Sequence, residues 1–455
     1  MSRFPYGPVP LLLLVLALLA GLVVAARRAA RAEARPDLVL ATFGASHHEN
    51  YLRVIPEFER LHGVRVQVQL VNKRALQSRL QSALLAGVEV PDLVELSNPS
   101  IGYFTRGRLE DVGLVDLTER VRAERIDERV VASRFGLWSS RGRIFAIPHD
   151  VHPLALAYRA DLVAELGIDV EGLRTWDDFA AMGRALRERP EARGRFAIDL
   201  PTAGADVLVA LLAQRGVTLF DPEGRLTSDE PRTVETILWY VRQTRGPEAI
   251  AFPGGWGQAQ ARTMIEGVCL FYLCADWRSK QFEHDVPSLH GKLALMPLPA
   301  WEPGGRRTST WGGAGIALTK GGRNHDLAWE LAKFLYFNEE IVDRLFLDSN
   351  IIPTAVEHWD RPVLDTPNPF YGGQAVGRFF VELASEVPPD HVSAYTELAI
   401  QQLSAVVLDA GARFEARGEE GLREFTEARL ARAADYVRRI MARNVFQPRL
   451  AADAP

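Results

Sequence analysis

Hydrophobic positions along the chain fall into distinct patterns, and each predicts a different element. Residues 9–26 form an apolar run with no charge between 11 and 26. Arg3 precedes it, and Ala32-Glu33-Ala34 follows as an A-x-A-like cleavage site before Arg35, the layout of a secretory signal. A retained anchor is the alternative. Roughly 16–18 apolar residues lie at the lower limit for spanning a bilayer, and Arg27, Arg28 and Arg31 on the far flank oppose translocation. Residues 1–34 are therefore expected to be a signal peptide or membrane anchor, followed by an extracytoplasmic domain.

Beyond residue 35 the pattern alternates. Residues 38–43 read as a short buried strand, and Gly44 to Asn50 as a polar loop. Tyr51, Val54, Ile55 and Phe58 recur at helical spacing up to His62-Gly63, with a kink or a start at Pro56. Val64, Val66, Val68 and Leu70 alternate with polar residues, as in a strand with one wetter face. Leu76, Leu80, Ala83 and Leu84 make the next helical stripe, ended by Gly87, and residues 91–96 a third strand. This β-α-β-α-β order predicts a mostly parallel, doubly wound α/β sheet with helices on both faces.

The middle of the chain changes character. Strand-like residues 144–148 run through His149-Asp150-Val151-His152-Pro153 into a second strand-like run, 154–158, so the segment reads as a crossover. Residues 176–186 are helical, with Thr175 as N-cap. Residues 293–298, a turn at Pro303-Gly304-Gly305, and residues 311–317 repeat the crossover style. Leu327, Leu331, Phe334 and Leu335 form a helical stripe, and residues 393–443 are helical by composition.

Composition narrows the function. A chain of 455 residues with 47% hydrophobic and 24% charged residues is an ordinary globular balance of two or three domains or lobes. Four basic and one acidic side chain lie in residues 1–34, leaving 49 basic and 57 acidic, net −8. That mild acidity argues against nucleic acid as a partner. The two cysteines, Cys269 and Cys274, lie far from the apolar run, which excludes lipid attachment through an N-terminal cysteine. Five positions apart on a strand, they stand about 16 Å apart, too far for a disulfide.

Several blocks in order carry a resemblance to a known family. They are Phe58-Glu59-Arg60-Leu61-His62-Gly63-Val64; Pro91-Asp92-Leu93-Val94-Glu95-Leu96; Ile147-Pro148-His149-Asp150 with Ala157-Tyr158-Arg159-Ala160-Asp161-Leu162; and Thr175-Trp176-Asp177-Asp178-Phe179. Met296-Pro297-Leu298-Pro299, Gly312-Gly313-Ala314-Gly315-Ile316-Ala317 and Ala328-Trp329-Glu330-Leu331 complete them. Across roughly residues 38–360 the chain resembles the sugar-binding, maltose-binding-protein-like solute-binding proteins of ABC importers. The resemblance implies a two-lobe, periplasmic-binding-protein type II fold with hinge crossovers. The expected lobes are 36–148 with 313–365, and 153–310 with 366–455. It further implies a carbohydrate ligand, ABC permease subunits as partners, a monomer, and membrane contact only through an uncleaved N-terminus.

A sugar offers hydroxyls and apolar ring faces, so its site needs aromatic platforms beside fixed donors and acceptors. Trp256, Trp277 and Trp311 stand next to glycine or charged residues rather than in apolar stripes, whereas Trp329 reads as core. They and Gly313 match positions where the family supplies aromatic and backbone contacts. The segment 44–50 follows the first strand, where open parallel sheets bind ligands, and offers Ser46, His47 and Asn50. Asn98, after the third strand, and Asp150, in the crossover, are the acceptor candidates. Metal is not expected, since adjacent histidines diverge and no tight His-x₃-His spacing occurs. Gly312-Gly313-Ala314-Gly315 lacks the third glycine of a dinucleotide loop, and no cofactor is expected. No nucleophile or metalloprotease motif is present. The alternatives to a binding module are an exported carbohydrate-active enzyme using two acids such as Glu95 and Asp150, and a tethered sensory or adaptor subunit.

Overall fold

The computed structural model describes residues 9–32, 35–98 and 100–446, with side chains of 10 and 25–32 excepted. Arg3 and the Glu33-Ala34 part of the expected cleavage site lie outside the described residues. Helix α1 (Val9–Ala32) carries the apolar run and leaves its leucines exposed. No helix among the described residues is long and apolar enough to cross a membrane, so the reading of residues 1–34 as signal or anchor rests on the sequence.

In chain order the strands are β1 (Leu38–Thr42), β2 (Val66–Leu70), β3 (Leu93–Ser97), β4 (Ser139–Ser140), β5 (Arg143–Ile144), β6 (Ile147–Pro148), β7 (Pro153–Arg159) and β8 (Phe196–Asp199). They continue as β9 (Ala251–Phe252), β10 (Cys269–Ala275), β11 (Leu293–Pro297), β12 (Ser309–Thr310) and β13 (Ala314–Leu318). One sheet has the order β2-β1-β3-β13-β6, parallel across β2, β1 and β3 and antiparallel at β13. The other runs β11-β7-β10-β8-β9, with β12 also paired to β7, and β4 and β5 form a separate hairpin. Unbroken burial in β3 and β13 is what strands covered on both faces require, even though β3 carries Glu95 and Ser97. Edge strand β2 keeps Gln67 and Leu70 exposed.

Helix α2 (Ala45–His62) begins six residues earlier than the apolar stripe. Residues 45–50 are thus its first turns rather than a loop, and Pro56 lies inside it. Its face of Tyr51, Val54, Ile55 and Phe58 packs with Leu38, Leu40, Trp329 and Leu335 into one core. Asn72 caps α3 (Lys73–Ala86) by accepting from Arg74 and Ala75, and Gly87 closes it at φ 62°. Thr175 and Asp178 form a reciprocal capping box on the helix Trp176–Glu188, as the sequence indicates.

The chain passes between the sheets at β6 to β7, at β12 to β13, and again after the helix Glu339–Ser349. That helix gives Ile341 and Leu345 to the first core, while Phe346, Ile352 and Leu364 join the core under β7 and β10. The three passages lie side by side. The Val151 N–H donates to Ile352 O at 3.2 Å, Thr354 Oγ1 to Pro148 O at 2.9 Å, and the Trp311 N–H to His152 O at 3.3 Å. Helices Thr396–Arg417 and Leu422–Ala442 pack on each other and on the helix Pro231–Thr244, joining the second lobe's core through Leu403, Val406 and Leu430. Just before them, residues 390–394 press on the first lobe. A Cβ on Gly102 would lie 2.3 Å from Ser393 O. Cys269 and Cys274 are both buried and free.

Candidate functional site: the cleft between the sheets

A cavity of about 550 Å³ opens between the two sheets. The first sheet contributes Phe43, Ser46, His47, Lys73 and Asn98, from the ends of β1 and β3 and the first turns of α2 and α3. The second contributes Trp277, Lys280 and His284 from the helix Asp276–Asp285, and the crossings add His152, Gly312 and Gly313. Five sequence-derived candidates, Ser46, His47, Asn98, Trp277 and Gly313, therefore meet in one cavity. Asn98 has its N–H bonded to Gly313 O at 2.8 Å, and its side-chain Oδ1 is buried without a partner. Gly313 sits at φ 145°, and a Cβ there would come within 3.0 Å of the Arg134 guanidinium and 3.3 Å of Asn98 Cβ. Only glycine fits that approach.

A second cavity of about 250 Å³ lies wholly on the second sheet's side, lined by Trp256, Trp311, Asp199, Gln260 and Arg278. Ring centroids are 5.5 Å apart for Trp256–Trp311 and 5.9 Å for Trp277–Trp311, so the three indoles form one shelf joining the two cavities. The Trp277 indole N–H donates to Trp311 O at 3.0 Å and fixes the pair. Beneath the shelf, Gln260 donates to Asp199 and accepts from Arg278, while Asp199 also accepts the Gly254 N–H at 2.9 Å. The Arg278 guanidinium lies 4.2 Å from the Trp256 ring centroid and 4.9 Å from that of Trp311. Burial raises the Asp199 pKa and pushes that of Arg278 down to about 10. Flat apolar faces beside locked donors and acceptors suit a polyhydroxylated ring. Sequence reasoning missed Asp199, Gln260 and Arg278. Asp199 could have been found as an acid at the end of a strand, but nothing in the spacing links it to Gln260.

Two candidates do not face either cavity. Asn50 is buried on α2 at 4% exposure, one helical turn further along than Ser46 and His47 and outside the cavity lining. Asp150 is fully buried at the hinge. Its Oδ2 accepts the Ala314 N–H at 2.9 Å and pairs with His152 Nε2 at 3.0 Å and His149 Nδ1 at 3.3 Å. Arg134 stands 3.7 Å away, donating to Asp150 O and Thr310. His152, at φ 53°, bonds Asp276 through Nδ1 at 2.7 Å, and Asp276 accepts the Ile352 N–H at 2.8 Å. Burial alone would lower the His152 pKa, but Asp150 and Asp276 outweigh it and hold the value at about 9. One imidazolium thus ties all three crossings together.

Glu95, buried in β3, takes the Tyr51 hydroxyl at 2.6 Å, the Tyr336 hydroxyl at 3.1 Å, Thr42, and His47 Nδ1 at 2.9 Å. Burial would raise its pKa, yet His47, His149 and Thr42 draw it down to about 2. His47, Glu95 and His149 each bring one potential ligand atom within 4.8 Å of the others. The sequence expectation of no metal rested on spacing, which does not register residues that meet only in three dimensions.

Residues 44–341 match the family described as bacterial extracellular solute-binding protein. The arabinooligosaccharide-binding protein of Halalkalibacterium halodurans is 27% identical over 343 residues, covering 73% of this chain and 74% of that protein. That of Bacillus subtilis is 24% identical over 388 residues, covering 83% and 88%. Among solved structures, an extracellular solute-binding protein of family 1 superposes with TM-score 0.71 at 20% identity, covering 88% of this chain and 99% of that one. The sugar-binding protein MalE from Xanthomonas citri gives TM-score 0.70 at 18% identity, covering 89% and 99%. With its two sheets, its triple crossing and most of its length accounted for in this way, the chain belongs to the bacterial extracellular solute-binding proteins.

Proposed function

We propose that this protein captures an oligosaccharide in the cleft and presents it to the permease of an ABC importer. The observation that carries the reading is the shelf of Trp256, Trp277 and Trp311 set over the Asp199–Gln260–Arg278 chain. The names of the two relatives, both arabinooligosaccharide-binding, support the same ligand class. The lobes in this reading are 36–148 with 313–349, and 153–310 with 350–446, and the ligand closes them about the crossings. The boundary moves back from the 365 expected from sequence because Ile352 and Leu364 join the core under β7 and β10. Residues 447–455 lie outside the described residues. The apolar N-terminus acts as export signal or tether, and the domain works outside the cytoplasm as a monomer.

An enzyme reading would need Glu95 and Asp150 to reach the sugar. Both are fully buried and engaged by protein groups, which favours binding without turnover. The test is a thermal-shift screen of arabino-, galacto- and malto-oligosaccharides with chromatography of the incubated sugar. A true ligand at 100 times its Kd adds about 2.7 kcal/mol of stability. Shortened sugar chains, or no stabilisation by any carbohydrate, would overturn the proposal.

A further inference from the structure

We propose that His47, Glu95 and His149 form a site for one divalent transition-metal ion of the zinc type at the floor of the cleft. The three come from α2, β3 and the first crossing, are each at most 8% exposed, and already hold their potential ligand atoms within 4.8 Å of one another. In a tetrahedral site with bonds near 2.0–2.1 Å those atoms sit roughly 3.3 Å apart, so a modest turn of the imidazoles closes the set. The rings lie 4.5 Å apart between centroids.

The surroundings match what a metal's outer shell needs. A ligating histidine usually donates its other ring N–H to a carboxylate. His149 does so from Nδ1 to Asp150, which is itself held by Ala314 and His152, leaving Nε2 for the ion. Ligating carboxylates are hydrogen-bonded in turn. Tyr51 and Tyr336 hold Glu95 Oε1, and Thr42 holds Oε2. The ion takes the place of the proton now shared by His47 Nδ1 and Glu95 Oε2. Two imidazoles and one carboxylate favour zinc-like ions over calcium or magnesium, which prefer all-oxygen shells. Three protein ligands leave the fourth tetrahedral position for water, and of the three only His47 lines the 550 Å³ cavity.

The experiment uses the purified, untagged protein stripped with EDTA. Cobalt(II) is titrated in and followed by visible absorption, and zinc by competition with a chromophoric chelator and by metal analysis. The expected result is one equivalent bound, with the intense bands of a four-coordinate cobalt site. Glu95→Gln and His149→Gln should each weaken zinc binding by more than the roughly 10–100-fold that an outer-shell partner contributes, and His48→Gln should leave it unchanged. Weak six-coordinate cobalt spectra in the wild-type protein would overturn the proposal without recourse to any variant. Zinc affinity unaltered in folded Glu95→Gln and His149→Gln proteins would overturn it as well. Sugar binding is not a readout, so failure here leaves the carbohydrate reading standing.

Discussion

The charge on His152 should make the hinge measurably weaker in alkali. The imidazolium faces Asp150 through Nε2 at 3.0 Å and Asp276 through Nδ1 at 2.7 Å, with Arg134 behind Asp150 and the edge of Trp277 alongside. Its folded-state pKa of about 9 stands above the ordinary 6.5. A raised pKa means stability fully present below about pH 6.5 and lost as pH climbs through 9. At 1.36 kcal/mol per unit, the charge contributes about 3 kcal/mol. His152→Gln should cost about 3–5 kcal/mol near neutrality, because two buried carboxylates lose their cation. The gap between wild type and variant should then shrink by about 3 kcal/mol on going from about pH 6 to about pH 10. Taking the difference cancels groups remote from His152. His47, whose pKa burial lowers but Glu95 raises on balance, also feels the His152 charge, so its part does not cancel fully. Urea denaturation followed by tryptophan fluorescence, in EDTA, measures both proteins across the range. A gap that stays constant within about 1 kcal/mol would refute the charge assignment.

Other changes separate binding from packing. Trp256 is 56% exposed, so Trp256→Ala should leave stability within about 0.5 kcal/mol while weakening oligosaccharide affinity by roughly 1–3 kcal/mol in calorimetry. Trp311, half-buried against the second lobe's core, should lose about 1–3 kcal/mol of stability as Trp311→Ala in addition to affinity, less than the roughly 3–5 kcal/mol of a fully buried tryptophan. Gly102→Ala should destabilise the protein by about 1–3 kcal/mol in urea, since its Cβ would meet backbone Ser393 O, which has no flexible end to move aside. Burial raises both thiol pKa values well above the ordinary range, so native protein should resist a thiol reagent that titrates both cysteines once urea is added.

Local pattern decided a good deal. The period-2 and period-3.6 stripes at residues 38–96 located β1, β2, β3 and the buried face of α2, because burial of one face is a short-range requirement written in the spacing of apolar residues. The prolines and strand-like runs about 147–153 and 311–317 marked two of the crossings, since a chain leaving one sheet for another needs a break in both. The start of α2 was not legible. Gly44 gives no side-chain cap, and Ser46, His47 and Asn50 carry the polar look of a loop while helical. Tertiary structure alone decided which polar groups meet. Glu95 and His47 are 48 positions apart and His152 and Asp276 are 124 apart, and no periodicity joins residues at such separations. The same holds for Asp199, Gln260 and Arg278, and for Asp150, whose place in the crossover suggested a ligand contact while packing of three passages buried it. Spacing encodes which side of an element faces the core; the partners waiting there are fixed only when distant elements pack, since buried charge must find its counter-charge wherever the fold brings one.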